Sequence, residues 1–150
     1  MSLSTSASIV MYAPRELIFD TVADLARWPA LLPHYRYVRF LERDADGESG
    51  VVEMAATRDG SPVRWVSRLE VDREAMEIRF THVRAITRGM EVVWSFTPQP
   101  GGSVFVEIVH DLRFRPRLLA PVAERIIGGF IDAVAGRTLR EMKRHVECHA

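Results

Sequence analysis

The chain is short of cysteine, of any surplus charge and of long apolar runs, and each shortage removes a class of protein. Its 150 residues include one cysteine, Cys148. An internal disulfide is therefore impossible, and no CxxC or Cys/His spacing suggests structural zinc. A reducing cytoplasm is the expected compartment. Twenty basic residues balance twenty acidic ones, which weighs against nucleic-acid binding, since that draws on a basic surplus. No apolar run approaches the roughly 18 residues of a membrane-spanning helix, so no integral membrane segment is expected. The chain does not open on a basic-then-apolar signal pattern. Phosphate-cradling glycine loops, dinucleotide fingerprints, repeats and low-complexity linkers are also absent.

What is present fits one domain over residues 1–150, with 47% apolar residues, enough to bury a sizeable core. A strand is read over Ser4–Tyr12. Pro14 suits the first turn of a following helix, whose stripe is Leu17, Ile18, Thr21 and Val22. Asp24 is placed to cap a second short helix carrying Leu25, Trp28, Leu31 and Leu32, kept irregular by Pro29 and Pro33. The period then changes. Strand-like runs occupy about Tyr35–Arg43, Val51–Arg58, Val63–Asp72, Glu77–Ala85, Gly89–Pro98 and Ser103–Arg115, divided by glycine- and proline-bearing turns. From about Leu118 to Glu147 the helical period returns, with Ala123, Ile127, Phe130, Ile131, Val134, Thr138 and Met142 on one side. Gly128-Gly129 inside that helix marks either close packing or room for a ligand. The order implies an α+β fold: a curved seven-stranded antiparallel sheet wrapped around a long C-terminal helix, with two short helices after strand 1.

Alternation selects the side chains on the concave face. Val63, Trp65, Ser67 and Leu69 face in, with Arg64, Val66, Arg68 and Glu70 facing solvent. Met90, Val92, Trp94 and Phe96, then Ile78, Phe80 and His82, then Val104, Val106, Ile108, His110, Leu112 and Phe114 complete the inner set. Aromatic side chains with a few polar handles suit a site for an apolar ligand. The same set also fits a solid core with satisfied histidines. His110 is either such a core residue or a proton donor to a ligand oxygen. Ser67, His110 and Asp111 hold the ingredients of a triad, but alternation sends Asp111 to the other face from His110. His145 and His149, four apart near a terminus, fit chance spacing better than a metal pair, so no metal site is expected. The cluster Arg113-Phe114-Arg115-Pro116-Arg117 is either a solvated edge or an electrostatic gate for an acidic ligand or carrier.

Ser8-Ile9-Val10, Ala13-Pro14, Phe19-Asp20, Asp24, Trp28-Pro29, Tyr35, Trp65-Val66-Ser67, Trp94 and Pro100-Gly101-Gly102 together resemble the START-like polyketide cyclase/dehydrase and lipid-transport superfamily. The pattern is similar to single-domain aromatase/cyclases of tetracenomycin type. The resemblance implies the helix-grip fold, a deep pocket and no cofactor. It also implies pocket roles for Trp28, Tyr35, Trp65, Ser67 and Trp94. The aromatase pattern has an inward arginine two residues after the serine; Leu69 stands there instead. Met90–Pro98 and Leu112–Arg115 resemble the coenzyme-Q-binding branch, which carries its ligand unchanged.

Two functions follow. The first is binding of a hydrophobic, oxygenated small molecule (a lipid, quinone or polyketide) in an internal cavity. Its expected wall is Trp28, Met54, Trp65, Leu69, Phe80, His82, Met90, Trp94, Phe96, Ile108, Phe114, Phe130 and Val134. The alternative is a cofactor-independent polyketide aromatase/cyclase in which Tyr35, Ser67 and His110 orient ketone oxygens and move protons. The resemblance then makes an acyl carrier protein or a polyketide synthase the partner to look for.

Overall fold

A computed structural model of the chain describes residues 2–85, 87–113 and 120–149. Strand β1 (Ser2–Met11) leads to helix α1 (Arg15–Ala23), a single 3-10 turn at Leu25–Arg27 and helix α2 (Trp28–Leu31). Six strands follow: β2 (Tyr35–Arg43), β3 (Gly50–Arg58), β4 (Ser61–Asp72), β5 (Glu77–His82), β6 (Glu91–Pro98) and β7 (Val104–Arg113). Helix α3 (Ala120–Cys148) ends the chain. The strands form one antiparallel sheet in the order β1-β7-β6-β5-β4-β3-β2. Consecutive strands from β2 to β7 are thus a meander, and β1 adds to its far edge. The segment carrying α1 and α2 must cross from one edge of the sheet to the other, which brings its apolar residues under one end of the curve.

Local chemistry explains the connections. At the β3–β4 turn, Asp59 and Gly60 both take positive φ, 49° and 81°, the Asp-Gly hairpin conformation whose twist matches the flanking strands. The β2–β3 ladder slips between Phe40 and Glu42. Gly50 sits beside that slip, and a Cβ there would lie 2.1 Å from the Glu42 carbonyl oxygen, so only glycine allows the strands to close. Pro14 stands one place before the helix, at the N-cap with an extended backbone (ψ 138°), and not within its first turn. The Asp24 side chain caps nothing. Its backbone N–H instead donates to Asp20 O at 3.2 Å, and its carbonyl accepts from Arg27 N–H at 3.1 Å.

β5 stops at His82 and not at Ala85. His82 N–H donates to Met90 O and Gly89 N–H to His82 O, which closes the ladder. Ala85, at φ 65°, cannot continue a strand. The outer face also differs from simple alternation. Val66 and Ala55 are buried although they point away from α3. Glu53 lies between Arg39 (3.3 Å) and Arg64 (3.7 Å), and the stems of such long side chains cover apolar neighbours.

Helix α3 buries Ile131, Ala135, Thr138, Leu139, Met142 and Val146. The Gly128-Gly129 pair answers to neither reading offered for it. A Cβ at Gly128 would meet the Leu3 side chain at an ordinary 3.6 Å, and one at Gly129 would meet Arg58 at 4.0 Å. Neither glycine lines the cavity described below.

Candidate functional site

Register aligns the inward side chains into rows across the strands. One row runs Leu69, Phe80, Val92, His110; the next runs Val71, Ile78, Trp94, Ile108. Ser67 stands opposite His82, and Met54 opposite Trp65. Pairing thus gives His82 the inward face that alternation alone left open to a one-residue slip.

Between these rows and α3 lies a cavity of about 300 Å³, at the lower end of the roughly 300–1,000 Å³ of small-molecule sites. α2 and β2 supply Trp28 and Tyr35, and β3 and β4 supply Met54 and Trp65. Phe80 and His82 come from β5, Met90 from just before β6, Trp94 from β6, and Ile108 and His110 from β7. Phe130 and Val134 close it from α3. Three of the lining residues, Arg64, Ala85 and Ile126, are exposed, with Ile126 64% accessible. They mark the mouth, between the β3–β4 hairpin, the turn after β5 and the first half of α3.

Ser67, Leu69 and Phe96 face the sheet's inner side but do not line the cavity. Phe96 is covered by α1, its ring edge-on to Phe19 at 5.3 Å. Ser67 and Leu69 lie flush in the sheet with no accessible surface. Alternation tells which side a residue faces, not whether a larger neighbour covers it. Ser67 and His110 sit on strands separated by β5 and β6, and Asp111 is exposed, so the three do not form a triad. Phe114 and the basic stretch beyond Arg113 lie outside the described residues.

The wall is mostly aromatic. The Trp28 ring stands edge-on to Tyr35 at 5.2 Å and to Trp94 at 5.8 Å, and its indole N–H donates to Val22 O at 3.0 Å. The Trp65 ring lies parallel to His82, centroids 6.3 Å apart. The polar groups of the wall are few and, apart from Arg64 at the mouth, neutral. His82 is held down to about 4 by burial, its Nδ1 2.9 Å from Thr87 Oγ1. His110 is also lowered to about 4, mainly by burial and further by His82, with Asp132 opposing. Both are therefore neutral imidazoles at pH 7, each able to give or take a proton. Burial raises Tyr35 above its ordinary value, with hydrogen bonding to Thr138 opposing.

Sequence reasoning missed His34 and Thr138. His34 Nε2 lies 2.8 Å from Thr138 Oγ1, and both residues are 1% exposed. Burial and the nearby Arg137 guanidinium lower His34 to about 4. The signal was available in part: Thr138 was on the inward stripe of α3, but nothing local tied it to a histidine 104 positions earlier.

A sequence model of the family described as polyketide cyclase/dehydrase and lipid transport matches residues 11–143. The chain belongs to that family. A protein of Streptomyces cyaneus, provisionally named a polyketide cyclase, is 31% identical over 107 residues, covering 69% of this chain and 68% of the relative. The crystal structure of the Zhui aromatase/cyclase from a Streptomyces species superposes with a TM-score of 0.85 at 16% identity, over 98% of this chain and 94% of that one. A START superfamily protein from Mycobacterium smegmatis superposes at 0.76 with 16% identity, over 98% and 99%. At such identities the superpositions speak for the fold alone: this member of the polyketide cyclase/dehydrase family has the START-like, helix-grip architecture. Among its described residues, no helix is long and apolar enough to cross a membrane.

Proposed function

We propose that the protein encloses a hydrophobic, oxygenated small molecule of the aromatic-polyketide type between its sheet and α3. The observation that carries this reading is a cavity whose wall is largely Trp, Phe, Ile and Met, and whose polar groups are a phenol, a threonine pair and two neutral histidines, with arginine at the mouth. Such a wall rewards burial of apolar rings and fixes their orientation through a few hydrogen bonds. Names of relatives favour a polyketide over a quinone or another lipid. The reading treats residues 1–150 as one ligand-binding domain working in the cytoplasm, its ligand supplied by a polyketide synthase or an acyl carrier protein. Native mass spectrometry after gentle purification tests it. Retained or titratable polyketide supports it, whereas retention of a quinone alone moves the assignment to carriage of that lipid.

A second reading, aldol cyclisation with loss of water, is favoured by the position of His110 on the cavity wall in its neutral form. A neutral imidazole takes the proton of a methylene between two ketones. The enolate carbon bonds to a second carbonyl carbon, and the imidazolium returns a proton to the resulting alkoxide; the imidazole then takes the remaining proton of the attacking carbon and gives it to the new hydroxyl, whose C–O bond breaks to release water and leave a carbon–carbon double bond. Enclosure holds the chain in reacting geometry and keeps out water. Leu69 offers no charge to an oxyanion. Among the described residues, Arg64 is the one guanidinium that lines the cavity, and its side chain is 70% exposed. Incubation with a minimal polyketide synthase should alter the product ring pattern, and His110→Ala should lose that alteration. An unaltered pattern with the wild-type protein removes the second reading and leaves the first.

A further inference from the structure

The interior of the cavity and its mouth treat charge differently. No carboxylate lines the cavity, and burial holds its two histidines neutral. An ionised group drawn in among Trp28, Phe80, Trp94 and Ile108 would lose its water and meet no opposite charge. At the mouth stands Arg64, which lines the opening with its side chain 70% exposed. Its Nε lies 3.7 Å from Glu53 Oε2, beyond hydrogen-bond reach, while Glu53 Oε1 accepts from Arg39 at 3.3 Å. The Arg64 guanidinium thus keeps its planar fork of N–H donors for another acceptor. Exposed Arg84, Arg88 and Arg125 adjoin the rim residues Ala85, Thr87 and Ile126 in the chain. The antiparallel order puts the β3–β4 and β5–β6 connections and the start of α3 at this end of the sheet, and the β2–β3 and β4–β5 connections at the other. The far end carries Asp44, Asp46, Glu48, Asp72 and Glu74, and its Arg68 and Arg73 donate to Asp44 and Glu48. The balanced charge of the chain is therefore segregated, with arginine gathered at the mouth.

We infer that the mouth is an anion subsite and the ligand an amphiphile, whose apolar rings fill the cavity while a carboxylate or phosphate on a short tail stays at the rim against Arg64. A guanidinium takes either anion through paired N–H donors. The neighbouring arginines raise the local concentration of anions, and a cationic tail meets the same field with the opposite sign. The arrangement also fixes direction. The rings enter first, and the charged end remains beside water, where its desolvation costs little. The inference rests on the proposed enclosure of an apolar ring system and adds the chemistry of the part that stays outside.

Calorimetric titration with naphthylbutanoate, its uncharged amide, naphthylbutylamine and naphthylbutyl phosphate tests it. The wild-type protein should bind the carboxylate about threefold to tenfold more tightly than the amide, the worth of a partly exposed charge-assisted hydrogen bond, and the amine least. Rising salt should shrink that advantage. Arg64→Gln, a change at an exposed side chain, should bring carboxylate and amide to parity. Arg73→Ala removes the same charge at the far end and should leave their ratio as it was. Four results overturn the inference and leave the ligand-binding reading standing: equal binding of carboxylate and amide, tighter binding of the amine, an advantage that survives Arg64→Gln, or an equal loss in Arg73→Ala. Binding of none of the probes overturns both. Tighter binding of the phosphate than of the carboxylate assigns the subsite to a phosphate ester, and the reverse order assigns it to a free acid; either order, with both anions ahead of the amide, supports it.

Discussion

The two ends of the cavity are built on opposite plans. At the mouth, His82 and Thr87 come from a single hairpin, five residues apart, and are joined at 2.9 Å. Exposed Arg64, Ala85 and Ile126 stand around them. At the deep end, His34 and Thr138 come from opposite ends of the chain and have almost no accessible surface. A polar contact within one hairpin needs little beyond the turn that makes it. A polar contact between the residue just before β2 and the middle of α3 exists only once the sheet and the helix have docked. The polar contact at the mouth is thus local to one hairpin, and the one at the deep end depends on the packing of α3 against the chain before β2.

The largest effect that separates the ends should come from their tryptophans. Trp28 is 1% exposed and reaches Tyr35, Phe80 and Trp94. Trp28→Ala should cost about 3–5 kcal/mol, the range for emptying a fully buried aromatic site. Trp65 is only partly buried and lines the opening, so Trp65→Ala should cost less than half as much by urea denaturation. Equal costs would erase the distinction between a built floor and an adaptable rim.

Acid should act next. The folded values of His82 and His110, about 4, lie below the ordinary 6.5, so the unfolded chain binds more protons between those limits. Their contribution to stability is complete above pH 6.5 and is lost as pH falls towards 4. For His82 it amounts to about 3 kcal/mol at most. His34 adds a loss of the same sign. His82→Gln, which does not titrate, should flatten the stability–pH curve in that window. An unchanged slope would mean that His82 is hydrated in the folded protein.

The smallest effect belongs far from either end. Arg73 bridges Asp20 at 2.6 Å and Glu48 at 2.5 Å, and all three side chains are partly exposed. Arg73→Ala should cost under about 1 kcal/mol and less at high salt, as for exposed ion pairs, with ligand affinity unchanged. A larger loss would show that anchoring α1 to the β2–β3 loop supports the cavity as well.

The architecture was legible because it rests on period. A switch from 3.6 to 2 and back to 3.6 is visible residue by residue, and Tyr35–Arg43 is bounded as the sequence placed it. Boundaries were misread where a carbonyl or a backbone φ decides, as at Pro14, Asp24 and Ala85. Which side chains face inward was also legible, but depth was not. Trp65 and Ser67 share a face of β4, yet one lines the cavity and the other is covered. His34 escaped because its meaning lies in a partner 104 residues away, and its neighbour Tyr35 drew the attention by resemblance. The conformations at Gly128 and Gly129 carried no message for the site, since ordinary contacts surround both.

The central claim is that the space beneath α3 is a binding site and not a packing defect. Calorimetric titration of α-naphthol into the wild-type protein and Ala135→Leu tests this most directly, because Ala135 lines the cavity and is 6% exposed. The account predicts one site in the wild-type protein and at least a tenfold weaker one in the variant, whose melting temperature is equal or higher because the added methylenes fill a void. Equal affinity in the two proteins, or no binding by the wild-type chain, would contradict it.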